Sequence, residues 1–191
     1  RLHSPSGRPR VVVMVVGETA RAANFQLAGY ARETNPELAA IPGVVSFGQA
    51  WSCGTATAMS VPCMFSRLGH AGFSRAKARR EENVLDVLHR TGVAVSWRDN
   101  NSDSKGVATR VLYEDFRRRG GPELCHEEAC YDEVLLQGLD DLVTDARSDR
   151  LVVLHLMGSH GPSYYRRYPP AFRHFVPDCA QIGSASCRER V

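Results

Sequence analysis

The chain has 191 residues, 43% hydrophobic and 24% charged, with a formal net charge of +3. That length holds one domain with a real core, and so small a charge argues against nucleic acid as a partner. No apolar stretch approaches the ~18 residues of a membrane span, and no leader pattern is visible.

Residues 1–9 are polar, with Ser4, Pro5, Gly7 and Pro9, and read as a linker. A start at Arg1 rather than Met points to a piece cut from something longer, so the lack of a leader carries little weight. The first element is Val11-Val12-Val13-Met14-Val15-Val16, followed by Gly17-Glu18-Thr19. A β-branched run of this kind reads as a strand buried on both faces, in the central parallel part of an α/β sheet. Glu18 then falls at the carboxyl edge of the sheet, where α/β proteins place their ligand sites. A carboxylate there calls for a cation; a helix N-cap or an ion pair with Arg21 is the alternative use.

Pro36 in Thr34-Asn35-Pro36-Glu37-Leu38 predicts the start of a short helix, and 44–47 reads as a short strand. Residues 51–63 are rich in small hydroxylated side chains and bracketed by Cys53 and Cys63. Acids at its start, an apolar stripe of Val84, Leu85, Val87 and Leu88, and a stop at Gly92 predict a helix over 81–90. A strand over 93–97 runs into a polar loop to 106. A second helix is expected over 131–143, with Leu135, Leu136, Leu139 and Leu142 inside. The last strand, 151–156, precedes Gly158-Ser159-His160-Gly161-Pro162; His155, inside it, reads as core. Strands alternating with helices imply a mainly parallel sheet covered on both faces. Glu18, Thr55 and Thr57, Asn101 with Lys105, and His160 each follow a predicted strand, which places them around one cleft.

The six cysteines form three sequence-local pairs: Cys53 with Cys63, Cys125 with Cys130, and Cys179 with Cys187. None makes a C-x-x-C knuckle, so local disulfides in an oxidising compartment fit better than a structural zinc. Unrelated free thiols are the other reading. Basic clusters at 75–80, 117–119 and 166–167 read as solvated faces, although anionic lipid headgroups would suit them. There is no dinucleotide fingerprint, phosphate loop, zincin motif or G-x-S-x-G elbow.

A hydroxyl nucleophile needs activation, which a bound divalent metal supplies. Glu18 and Thr57 are oxygen ligands of the kind zinc accepts. A helix starting near Thr57 would favour an alkoxide and a bound phosphate at its positive end. An N-cap role is the plainer use of Thr57.

The stretches Val16-Gly17-Glu18-Thr19, Cys53-Gly54-Thr55-Ala56-Thr57, Ser60-Val61-Pro62-Cys63-Met64-Phe65-Ser66, Glu82-Asn83-Val84-Leu85-Asp86, Trp97-Arg98-Asp99-Asn100-Asn101, Ser102-Asp103-Ser104-Lys105-Gly106, Cys130-Tyr131-Asp132-Glu133 and His160-Gly161-Pro162 carry a resemblance. Together they resemble the periplasmic domain of bacterial phosphoethanolamine–lipid A transferases, which include the mobile colistin-resistance enzymes, across residues 9–179. The resemblance implies an alkaline phosphatase/sulfatase-like three-layer α/β/α sandwich with a mainly parallel sheet, truncated at its C-terminus. It implies transfer of phosphoethanolamine from phosphatidylethanolamine to a lipid A phosphate through a covalent phosphothreonine at Thr57. Glu18 and Thr57 match zinc ligands, so zinc is the implied cofactor. Thr55, Asn101 and Lys105 match contacts to the donor headgroup, and His160 matches a catalytic histidine near the phosphoryl group. The expected protein is a monomer in the bacterial inner membrane, its catalytic domain in the periplasm and its full-length form conferring polymyxin resistance.

The expected layout is a linker over 1–9 from a missing N-terminal transmembrane domain and a partial sulfatase-like catalytic domain over 10–181. Residues 182–191, with Cys187, resemble a translated sequencing adapter. The family's further zinc ligands include an Asp-His pair, and no such dipeptide occurs here, so the fragment alone is expected to be inactive. Alternative functions are a sulfatase- or phosphatase-like hydrolase, a transferase to another glycan acceptor, and a non-catalytic periplasmic binding module. A formylglycine motif, C-x-P-x-R, is absent.

Overall fold

The computed structural model describes residues 7–126, 129–161 and 163–176. In chain order its elements are β1 (Val11–Val16), α1 (Pro36–Ala40), α2 (Thr57–Phe65), α3 (Gly69–Gly72), α4 (Arg75–Ala78), α5 (Val84–Arg90), β2 (Ala94–Asp99), β3 (Leu112–Asp115), α6 (Gly121–Leu124), β4 (Cys125–His126), β5 (Ala129–Cys130), α7 (Leu139–Thr144) and β6 (Arg150–His155). They divide into two compact units. Among the described residues, one holds 7–18 together with Ser52–Met157; the other holds Thr19–Trp51 and 158–176.

In the first unit β1, β6, β2 and β3 pair in that order, all parallel. All four strands therefore deliver the chain to one edge. The side chains of β6 alternate between two apolar layers, as strand geometry requires. Leu151 and Val153 join Val61 and Phe65 of α2, Leu85 of α5, and Val95 and Trp97 of β2. Val152 and Leu154 face the other way, onto Phe116, Cys130, Val134 and Leu135. The sheet is thus covered on both faces, the layering of an α/β sandwich.

Helix α5 begins at Val84 because Asn83 closes a capping box. The Asn83 side chain accepts from Leu85 N at 2.8 Å, and its own backbone N–H donates to the Asp86 carboxylate at 2.8 Å. Gly92, at φ 97°, ends the element as expected. Cys53–Cys63 and Cys125–Cys130 are bonded, the first tying the loop before α2 to that helix and the second closing the β4–β5 hairpin. Cys179, Cys187 and all of 182–191 lie outside the described residues.

Three expectations are corrected. The valine-rich β1 is parallel, but among the described residues it pairs with β6 alone and so forms one end of the sheet rather than its centre. Met14 and Val16 pack inward, whereas Val12 and Val15 are 55% and 57% exposed. The expected helix over 131–143 is two pieces, a 3-10 turn at Asp132–Leu136 and then α7, parted by Gly138 at φ 63°. The buried guanidinium of Arg98 explains the break. It donates to the carbonyls of Leu135 (2.9 Å) and Gln137 (2.8 Å), which a continuous helix would use internally. The strand expected at 44–47 is absent; Val45 and Phe47 are 72% and 81% exposed, and no described strand offers them an edge. The sequence reading also missed β3, whose Leu112 and Tyr113 are exposed at the far edge of the sheet.

In the second unit Pro36 opens α1 as expected. Asn35, at its N-cap, spends its side chain instead on Leu27 N at 3.4 Å, and the Thr34 hydroxyl bonds Asn24 O at 2.6 Å.

Asn83→Ala is expected to lower the unfolding free energy by about 1–2 kcal/mol. The check is a shifted urea midpoint at unchanged slope, with Asn83→Ser recovering part of the loss.

Candidate active site

Thr57 is the first residue of α2, and Ala56 occupies the N-cap with no side-chain acceptor. The plainer N-cap use of Thr57 is therefore not the one adopted. Its hydroxyl donates instead to the Glu18 carboxylate, Oγ1 to Oε2 at 2.7 Å, between residues 39 apart in sequence. Glu18 follows β1 by two residues, so the end of the strand meets the start of the helix through this bond. The Cys53–Cys63 bridge anchors the loop leading into Thr57.

The backbone around the candidate residues departs from the ordinary. Among the described residues, Thr19 (φ 55°) and Lys105 (φ 54°) are the non-glycine residues with positive φ. Such conformations are uncommon, above all for a β-branched residue, and they gather at functional sites. One directly follows Glu18; the other is itself a candidate phosphate contact.

The loop after β2 hangs on Asp99, which is fully buried. Its carboxylate accepts from Trp97 Nε1 at 2.8 Å, from Asn101 N at 3.0 Å, and from His155 Nδ1 at 2.9 Å. His155 is also fully buried and stands edge-on to Trp97, with ring centroids 5.2 Å apart. It is core, as expected, but as the partner of a carboxylate. Asn101 Nδ2 donates to Leu156 O at 3.0 Å, and Asn100 N to His155 O at 3.0 Å. Asp132 adds a further tie, accepting from Asn100 Nδ2 at 2.8 Å and from Met157 N at 2.7 Å.

Lys105 is half-buried; its ammonium bonds the Ser102 hydroxyl and lies 3.3 Å from Asp103. Burial by itself would raise the Asp103 carboxyl, but the Lys105 backbone N–H and ammonium outweigh it and hold it below its ordinary value. Thr55 is exposed. His160 belongs to the second unit, where it is exposed and its carbonyl accepts from Arg167 Nε at 3.0 Å.

The structure thus brings Glu18 and Thr57 into contact and places Asn101 and Lys105 after β2, on the sheet edge that Glu18 shares. Trp97, Asp99, Asn100, Asp132 and His155 hold that edge together and were not singled out for a site role from sequence. The signal that marks Asp99 is an acid ending a buried strand, just before paired asparagines. A cavity of about 790 Å³ opens elsewhere in the unit, lined by Asp115, Arg117, Arg118, Pro122, Cys125 and His126 among others. It holds neither Glu18 nor Thr57. Two hard oxygen donors suit a divalent cation, but no group of three His, Cys, Asp or Glu placed to hold a metal ion occurs among the described residues.

In this parallel α/β sheet a helix-leading hydroxyl meets a carboxylate from the end of β1, a pairing whose chemistry suits phosphoryl transfer. The chain belongs to the sulfatase family, whose model matches residues 10–188. It is 47% identical over 172 residues to phosphoethanolamine transferase EptA of Escherichia coli (strain K12), covering 90% of this chain and 31% of the relative. It is 46% identical over 190 residues to phosphatidylethanolamine transferase Mcr-1 of Escherichia coli, covering 96% and 35%. The soluble domain of lipooligosaccharide phosphoethanolamine transferase A from Neisseria meningitidis superposes with a TM-score of 0.85 at 46% identity, over 90% of this chain and 52% of that one. A protein in the alkaline phosphatase superfamily from Vibrio parahaemolyticus shares the fold, with a TM-score of 0.66 at 14% identity over 85% and 43%. The chain spans about a third of the length of the curated relatives it matches.

Asp99→Ala strands a buried indole N–H, an imidazole and an amide, so it is expected to destabilise the fold by about 3–5 kcal/mol. Ser102→Ala, on the exposed side of the same loop, should change stability by under ~0.5 kcal/mol. Urea unfolding followed by Trp97 fluorescence separates the two.

Proposed function

We propose that this chain carries the nucleophile of a phosphoethanolamine transferase acting on a lipid donor. The observation that carries the reading is the 2.7 Å hydrogen bond from Thr57 Oγ1 to Glu18 Oε2. A hydroxyl at the positive end of a helix, donating to a carboxylate, is aligned for attack on phosphorus. In the first step a bond forms from Thr57 Oγ1 to the phosphorus of phosphatidylethanolamine, and the bond to the diacylglycerol oxygen breaks. The Thr57 proton leaves toward the carboxylate side, and diacylglycerol departs as an alcohol. In the second step an oxygen of a lipid A phosphate attacks the phosphothreonine and frees Thr57.

Lys105 suits the phosphoryl oxygens as a point charge, and Thr55 and Asn101 are suited to donate hydrogen bonds to them. Glu18 and Thr57 fit two of the roughly three protein ligands of a catalytic zinc ion. A zinc ion held there would lower the pKa of the Thr57 hydroxyl. The relatives' names support the donor and acceptor classes: phosphatidylethanolamine for Mcr-1 and lipid A for the Kdo(2)-lipid A phosphoethanolamine 7''-transferase of Salmonella typhimurium. The disulfides support an oxidising compartment, in keeping with an inner-membrane enzyme whose catalytic domain faces the periplasm. No helix among the described residues is long and apolar enough to cross a membrane. Polymyxin resistance in the complete enzyme follows from phosphate modification of lipid A.

The complete enzyme, incubated with phosphatidylethanolamine, should gain one phosphoethanolamine mass on the peptide bearing Thr57 and release diacylglycerol. Thr57→Ala should abolish both; label on another residue, or hydrolysis without label, would assign a different reaction. Glu18→Gln should weaken zinc binding more than about 10-fold by titration calorimetry, and an unchanged affinity would remove Glu18 from the metal site.

A further inference from the structure

Charge is unevenly distributed along this chain. Residues 66–80 hold five cations, Arg67, Arg75, Lys77, Arg79 and Arg80, and no acid. The whole chain has 24 basic and 21 acidic residues, so outside this stretch 19 basic residues face 21 acidic ones. One short segment therefore reverses the sign of the net charge.

The segment directly follows the nucleophile helix and forms α3, α4 and the turn after them. Arg75, Lys77, Arg79 and Arg80 are all exposed. Arg67 pairs with Glu81 at 3.0 Å, but the other four have no ion-pair partner among the described residues. Arginines elsewhere are commonly engaged: Arg10 with Asp149, Arg90 with Glu82, Arg110 with Asp86, Arg117 with Asp115 and Arg119 with Glu114. Four neighbouring unpaired cations repel one another in solution, a cost that an anionic surface removes.

The patch adjoins the candidate site. Arg75 and Arg79 line a small cleft of about 30 Å³ together with Lys105, with Glu81 and Glu82, and with Ser66 at the far end of α2. Met64, on α2 just before the patch, is 55% exposed and offers an apolar group beside the cations.

We propose that the 67–80 segment docks the first unit on an anionic lipid surface, beside the loop that carries Lys105. The chemistry favours a lipid surface over other polyanions. The single aromatic in the segment, Phe73, is half-buried, so it lacks the stacking platform of a single-stranded nucleic-acid site. It also lacks the charge-depleted centre of a protein interface. Diffuse cations flanked by one apolar side chain match what a headgroup layer attracts. The choice of partner rests on the lipid-donor reading above, but the test needs no turnover.

The test is sedimentation of the protein with phosphatidylcholine vesicles, with and without phosphatidylglycerol, at low salt. The wild type should partition onto the anionic vesicles and be released by added salt. Each cation contributes on the order of five-fold to partitioning. Arg79→Gln with Arg80→Gln should therefore lose at least about ten-fold, and adding Arg75→Gln and Lys77→Gln should reduce binding to the level on phosphatidylcholine alone. Arg79→Lys with Arg80→Lys keeps the charge and should retain binding. Arg118→Gln with Arg147→Gln removes two exposed cations elsewhere and should change partitioning by less than about two-fold. Equal losses from the two glutamine pairs, equal binding to uncharged vesicles, or tighter retention by a DNA oligonucleotide would overturn the proposal. A missing Thr57 adduct alongside intact vesicle binding would count against the transferase reading alone.

Discussion

The buried carboxylate of Asp99 is the constraint on which the arrangement of the sheet edge depends. A carboxylate removed from water needs its lone pairs satisfied, and here an indole, an imidazole and a backbone amide do so at 2.8–3.0 Å. The three donors come from β2 itself, from the end of β6, and from the first turn of the loop beyond β2. The ends of the two central strands are thereby locked to each other before any ligand arrives. Asn100, Asn101 and Asp132 extend the lock by spending their side chains on carbonyl and amide groups of the same edge. The loop to Lys105 consequently leaves the sheet in one conformation, positive φ included. Sites that need little rearrangement rest on supports of this kind.

A second link works independently of the first. The bond between Glu18 and Thr57 joins the exit of β1 to the start of α2, and the Cys53–Cys63 bridge holds the same helix from its other side. The reactive hydroxyl is thus fixed by one polar and one covalent restraint, neither of which passes through Asp99. Family membership rests on matched sequence over nearly the whole chain, whereas a fold of this class hosts many reactions. The functional reading therefore rests on these contacts more than on the architecture.

Much of this was legible in the residues. Alternating apolar runs marked the parallel layers, the spacing of cysteines marked both described disulfides, and Glu18 and Thr57 were paired before any geometry was known. What escaped was set by contacts distant in sequence. The apolar run of β1 states that the strand is buried somewhere, but not its rank in the sheet, so an end strand read as a central one. The helix expected over 131–143 is interrupted because Arg98, some forty positions earlier, takes its carbonyl groups; no local propensity encodes that. Asp99 looked like the first residue of a polar loop, since an acid ending a strand reads the same whether it meets solvent or an imidazole.

The exposed side of β1 has a practical corollary. Val12, Val13 and Val15 stand bare along a strand that is bonded on one side only among the described residues. A free row of main-chain donors and acceptors beside valines is a template for adding a strand from a neighbouring molecule. Concentration-dependent association through this edge is therefore expected of the polypeptide, and a charged residue at Val13 or Val15 should reduce it.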